Sequence, residues 1–312
     1  MAVPKTILLK KEAVYGTDAV PTPAANAVVT RGFTAKPIEV DTLARELDLP
    51  SRGRTRSANT GRRATFGFEL DLAGSGDAGT AAPFMEILQA CGMAAPTLLA
   101  DTHAEQKFAA VGAALSSLSA YHWTGVERAR AFGVRGSFGL NFTVSRYPFM
   151  TFNGIGLLPA SPVVDATAPG AAADYARWLE PVEVSTANTE FLLDGFALAL
   201  QSFTLEDGAN LAYTALVGEN YVSRGNHALT GRIRGKAPAL GSKNFYTALD
   251  IGDEVPLSLV HGTEAGNILE LESDYLQITN IDRAEENDEL FVDIGFGLNI
   301  NSGSDDLLIR AK

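Results

Sequence analysis

One cysteine, Cys91, in 312 residues leaves no intrachain disulfide to staple the chain, and no Cys/His cluster stands at metal-ligand spacing. No apolar run approaches the ~20 residues that a membrane-crossing helix needs. The segment Met1–Lys11 lacks an apolar stretch ahead of a cleavage site, so folding is expected to begin in a cytoplasm. With Trp123 and Trp178 as the only tryptophans, the aromatic platforms of a β-rich adhesion or carbohydrate-binding module are scarce. The histidines His103, His122, His227 and His261 share no ligand spacing. His261 has only Glu264 close by in sequence, whereas a general base needs an oriented partner. The run Gly74–Gly79 lacks the Lys-Ser/Thr of a phosphate-binding loop and the βαβ setting of a dinucleotide site. These absences argue against an enzyme, and no cofactor or metal is expected.

What is present fits a globular chain long enough for two domains: 46% hydrophobic and 20% charged residues. The net charge of −12 is unevenly placed. Residues 1–160 carry 16 Lys+Arg against 13 Asp+Glu, and residues 161–312 carry 9 against 24. An acidic surface repels a phosphate backbone, which disfavours ordinary nucleic-acid binding. The same repulsion is useful where DNA must pass without sticking.

Strict alternation marks half-buried strands in both halves. Phe66, Phe68, Leu70 and Leu72 alternate with small or polar residues, and Phe138, Leu140, Phe142 and Val144 share one face. Near the end, Leu290, Val292, Ile294, Phe296 and Leu298 share one parity in a hairpin spanning 268–300, whose turn is the acidic run Asp282–Glu289. Phe84, Ile87 and Leu88 recur at helical spacing behind Pro83, and Gly92 follows as a stop. Ser242–Leu249 reads as a shorter helix with Ser242 as its N-cap. Asp194-Gly195 marks a tight hairpin. The order strand, glycine-rich turn, helix, hairpin therefore occurs twice, each time after a strand and a long polar loop. The implied division is an N-terminal arm (1–30), a first unit (31–158), a Pro/Ala/Gly-rich linker (159–180) and a second unit (181–312). The arm is either a loose terminus or a tie between subunits.

The segment Asp41–Arg63 holds Arg45, Arg52, Arg54, Arg56, Arg62 and Arg63 with too few apolar residues for a buried element. It reads as a solvated hairpin tip, a nucleic-acid contact or a docking loop for an acidic partner. The absence of aromatics to stack on bases lowers the second option. The acidic partner at hand is the second half of the same protein, with Glu270, Glu272, Asp274 and the Glu285–Glu289 turn.

Several segments resemble the major tail tube proteins of long-tailed, non-contractile bacteriophages. They are Lys11–Pro23, Phe68–Pro83 leading to Leu88–Gly92, Asn188–Gly195 and Val260–Asn267, in this order and spacing. The resemblance implies a mainly β fold: two tandem β-sandwich or barrel units, each with a flanking helix, whose strands close into a β-barrel shared between chains. It further implies rings that stack into a tube. Six copies with four strands each are common in the family, so a duplicated chain would need only three, with six as the rival. Expected partners are other copies of the chain, the tail tip, tape measure and terminator proteins, and genomic DNA passing without specific binding. No membrane is among them, and the place is the virion tail, assembled in the host bacterial cytoplasm. On this reading Glu270, Glu272, Asp274 and Asp293 line an acidic lumen, with the solvent-facing alternative open. Arg45, Arg52, Arg54, Arg56, Arg62 and Arg63 are candidates for the ring-to-ring contact. The tube of a contractile or secretion-like device is the nearest alternative, and a binding module the remoter one.

Overall fold

Alternation sets the strands, and glycine and proline end them. The computed structural model describes residues 3–48, 50 and 53–312. In chain order the elements are β1 (Lys5–Lys11), α1 (Pro23–Asn26), β2 (Arg31–Leu43), β3 (Ala58–Asp71), α2 (Phe84–Ala90), β4 (Thr97–Leu99), β5 (His103–Gln106), β6 (Leu118–Thr124), β7 (Glu127–Thr143), β8 (Phe149–Leu157) and β9 (Val164–Asp165). The second half continues with β10 (Thr189–Leu193), β11 (Phe196–Ala197), β12 (Leu200–Glu206), β13 (Leu211–Leu216), β14 (Glu219–Arg224), β15 (Thr230–Lys236), α3 (Phe245–Ile251), β16 (Glu254–His261), β17 (Leu269–Glu286), β18 (Glu289–Leu298) and β19 (Leu308–Ala311).

The expected parities hold. Phe66, Phe68, Leu70 and Leu72 are buried, as are Phe138, Leu140 and Phe142, and Val292, Ile294, Phe296 and Leu298. The chain runs out of core at Val144 and Leu290, both 39% exposed. Helix α2 buries Phe84, Ile87 and Leu88. Helix α3 is capped by Asn244, not Ser242. Asn244 is the last extended residue before the helix, and its side chain accepts a hydrogen bond from the Tyr246 amide at 3.1 Å. The turn between β10 and β11 has positive φ at Asp194 (52°) and Gly195 (68°), as a two-residue hairpin of this type requires.

All pairings are antiparallel, and their order is the same in both halves. In the first it runs β1, β6, β7, β8, β3, β2. In the second it runs β10, β16, β17, β18, β15, β12. The halves are joined edge to edge by β7 and β12, from Ser202 opposite Thr143 to Glu206 opposite Gly139. Eight strands thus form one continuous run: β2, β3, β8, β7, β12, β15, β18 and the far part of β17. That run does not close on itself. β5 and β19 form a second bridge between the halves. One core serves both: Phe203 lies against Phe142, Phe191 and Phe296 with ring centroids 5.8–6.3 Å apart.

Three segments differ from their sequence reading. The first thirty residues are not a free arm, because β1 pairs with β6 over seven positions and buries Ile7, Leu8 and Leu9. The Pro/Ala-rich stretch packs back on the first half: the Trp123 indole N–H donates to the Thr167 carbonyl (2.7 Å), and that of Trp178 to the Ala27 carbonyl (2.8 Å). The long loop before Gly225 contains the hairpin β13–β14.

Candidate assembly surfaces

The eight-stranded run has an apolar face against the core and a polar face away from it. Period two puts Thr65, Asn153, Ser137, Thr204, Arg232, Arg234 and Asp293 on the polar face. Arg234 organises its second half. One guanidinium nitrogen reaches Asp293 at 2.8 Å, another reaches Glu286 at 3.1 Å, and the group lies over the Phe291 ring. Asp293 stands opposite Asp282 across the β17–β18 ladder, not beside the Glu270–Asp274 run.

Glu270 and Glu272 occupy the near part of β17, where it pairs with β16 and β19, outside the eight-stranded run. Glu270 is buried between Arg310 (3.0 Å) and Lys312 (2.7 Å), and Glu272 pairs with Arg310. Burial alone would raise the Glu270 carboxyl, but the hydrogen bonds from Lys312 and Arg310 outweigh it and hold the group below the usual carboxylate range. Asp274 is exposed. The basic residues divide as well. Arg45, Arg54 and Arg56 are exposed between β2 and β3, and Arg62 is exposed on β3. Arg63 is tied to Glu39 (2.9 Å) and Asp41 (2.8 Å) across the hairpin. Arg52 lies outside the described residues.

Sequence reasoning missed the most buried ion pair among the described residues. Asp207 and Arg224 are 0% and 3% exposed and meet at 2.8 Å. Asp207 also accepts from the Phe138 amide (3.2 Å), and Arg224 donates to the Gly136 carbonyl (3.2 Å). The Arg224 guanidinium fits against Gly92 just past α2: a Cβ there would lie 2.5 Å from it, and φ is +84°. Beside it, Arg135 donates to the Val222 carbonyl (2.7 Å), and the Tyr15 hydroxyl accepts from the Val222 amide (2.6 Å). These contacts lay β13–β14, from the second half, across β7, β8 and β3 of the first. The only local signal was Asp207-Gly208 closing an alternating run.

His261 is held structurally. Its ring meets the Thr189 hydroxyl at 2.8 Å and the Val182 carbonyl at 3.1 Å, and Glu264 is not its partner. Among the described residues no three His, Cys, Asp or Glu side chains converge as a metal site. No helix among the described residues is long and apolar enough to cross a membrane.

The described residues thus form an open antiparallel sheet with one covered apolar face, one polar face and two edges that pair with no further strand. The chain belongs to the phage tail tube proteins: the family model described as "Phage tail tube protein" matches residues 5–298. That match spans both halves and the joint between them. A search of curated proteins finds no match to the chain.

Proposed function

We propose that the chain polymerises as trimeric rings that stack into the tail tube of a non-contractile phage tail, with DNA leaving through the lumen. The observation that carries this is the repeated pairing order with its edge-to-edge joint. One chain already joins two four-strand sheets, so three chains supply as many strands as six single-unit subunits. Bare edges are an aggregation hazard in a free subunit, and closure of the run into a barrel removes them. Head-to-tail contacts that close by rotation make a ring, and a second such interface between rings makes the tube.

In this arrangement the polar face of the eight-stranded run, where β13–β14 does not cover it, lines the lumen. Asp293 stays a lining residue, joined by Asp282 and Glu286, while Arg234 prevents a wall of unrelieved negative charge. Glu270 and Glu272, clamped by Arg310 and Lys312, stabilise the bridge to β19. Asp274 borders the same bridge, so of the four only Asp293 keeps a lining role. A wall of neutralised pairs and short polar side chains offers DNA no attractive stop. Tail tip, tape measure and terminator proteins are the partners at the tube's ends and interior.

Electron microscopy of the assembled particle tests this reading. Hollow stacked rings with three-fold symmetry are expected. Six-fold rings would overturn the trimer and leave the tube, whereas a discrete oligomer with no axial growth would overturn the tube itself.

A further inference from the structure

The joint inside one chain shows how a second copy would attach, because each surface in it has an unused counterpart. The counterparts follow from the ladders. The β6–β7 and β16–β17 ladders each carry one irregularity, with one residue skipped on the first strand and two on the second: Leu118/Ala120 against Val134/Ala131, and Val255/Leu257 against Leu276/Ser273. This equates Val134 with Leu276. Two residues on, the row Gly136, Gly154, Phe66, Ala35 corresponds to the row Ile278, Phe296, Gly231, Leu205. Phenylalanine and glycine trade places between the two middle strands, so each row keeps one ring there. Ala35 on β2 is therefore the counterpart of Leu205 on β12.

Leu205 pairs with Leu140, which faces Met150, four residues before Gly154 on β8. The matching position on β18 is Val292, four before Phe296, and it faces Arg283. Resting on the tube reading above, we infer that the outer edge of β2, Gly32–Lys36, pairs antiparallel with the outer edge of β17, Asp282–Glu286, in a second copy of this chain. Ala35 stands opposite Arg283, Thr34 opposite Ala284, and Lys36 opposite Asp282.

Charge supports the register independently. Asp282 faces Asp293 directly across the ladder, an unfavourable like-charge pair, and Arg234 serves Asp293 and Glu286 instead. The one side-chain hydrogen bond to Asp282 among the described residues comes from Asn280. The Lys36 side chain is 71% exposed, with Glu39 at 3.6 Å as its ion-pair contact within the chain. The proposed pairing brings this cation to the carboxylate that lacks one. Among the described residues both edges have a single strand neighbour, β3 for β2 and β18 for this part of β17.

Cysteine cross-linking of the full-length protein tests the register, since the native Cys91 is buried and gives no background. Thr34→Cys and Ala284→Cys chains are purified separately, mixed at assembling concentrations and treated with a short bis-maleimide. Cross-linked dimers are expected in the mixture and in neither variant alone. Lys36→Glu should cut the cross-linked fraction by about tenfold, and mixing with Asp282→Lys chains should restore it. Thr34→Cys chains linking to one another would overturn the pairing in favour of a two-fold contact. Rings seen by microscopy without cross-links would overturn the register while leaving the tube. Mixed cysteine variants that do not link, together with wild-type chains that form no rings at any concentration, would overturn both.

Discussion

The two halves send out the same hairpin from the same place, and it takes two forms. Between β12 and β15 the chain turns over at Asp207, and β13–β14 lies flat on the first half with Val222 fully buried. Between β2 and β3 the ladder runs on, through register shifts at Lys36/Glu39 and Glu39/Asp41, to Leu43 opposite Ala58, exposed, with Arg63, Glu39 and Asp41 as its cross-strand ties. The flat hairpin has the first half beneath it, and its arginine, Arg224, is buried against Asp207, while Glu219 near its tip is exposed. The standing one has no such surface among the described residues: Arg63 and Glu39 pair at its base, and Arg45, Arg54 and Arg56 beyond the ladder face solvent. The difference shows which half supplies a partner and which half still needs one.

The largest effect should come from breaking the flat hairpin's anchor. Arg224→Ala leaves the Asp207 carboxylate buried without its cation, which typically costs about 3–5 kcal/mol. Denaturant unfolding is expected to show that loss. Replacing both members by apolar residues of similar volume should recover most of it. In the standing hairpin Arg63→Ala, which removes a more exposed pair, should cost no more than about 1 kcal/mol. Equal losses at the two sites would undo the contrast.

A pair of histidines sharpens it next. Burial pulls the His122 imidazole down to about 4, with Phe33 and Phe66 around it and Nδ1 without a hydrogen-bond partner. The unfolded chain takes up this proton near 6.5 and the folded chain only near 4. The stability from keeping it neutral is therefore complete above pH ~6.5 and is lost as pH falls to about 4, on the order of 3 kcal/mol in total. His122→Leu should flatten the stability profile in that window. His261 is also lowered by burial, against the opposing pull of the Val182 carbonyl. His261→Leu should cost stability at every pH, because it strips the Thr189 hydroxyl and the Val182 carbonyl of their partner. An unchanged profile for His122→Leu between pH 4 and 6.5 would refute the assignment.

How much of this was legible in the sequence follows from range. Alternation in 66–72, 138–142 and 292–298, the α2 spacing and the Asp194-Gly195 turn are local, and each placed its element. The recurrence of that order pointed to the doubled ladder although the residues themselves differ. Contacts fixed by which edges meet left no local trace. Phe142 against Phe203, Arg310 between Glu270 and Glu272, and Arg224 on Asp207 join residues that no periodicity links. Leu211–Leu216 reads as part of a long loop because none of its side chains is buried: Leu211 and Tyr213 are half-buried, and Leu216 is 56% exposed. The arginines read as one loop separate for the same reason: Arg62 and Arg63 continue β3, while Arg45, Arg54 and Arg56 lie beyond the ladder.

The smallest expected effect on folding carries the most for assembly. Reversing Arg54 and Arg56 to Glu touches exposed side chains with no ion pair among the described residues, so unfolding free energy should stay within about 0.5 kcal/mol of wild type. If the standing hairpin is the part that reaches a neighbouring ring, the same reversal places like charges against an acidic second half. Tube growth followed by light scattering and microscopy should then stop at single rings, while the rings themselves form normally. Arg63→Gln, which loosens the base of the hairpin without changing its tip, should slow growth without stopping it. Tubes of normal length from the Arg54→Glu, Arg56→Glu chain would mean that the tip is merely solvated, and the ring-to-ring contact would have to be sought elsewhere on the surface.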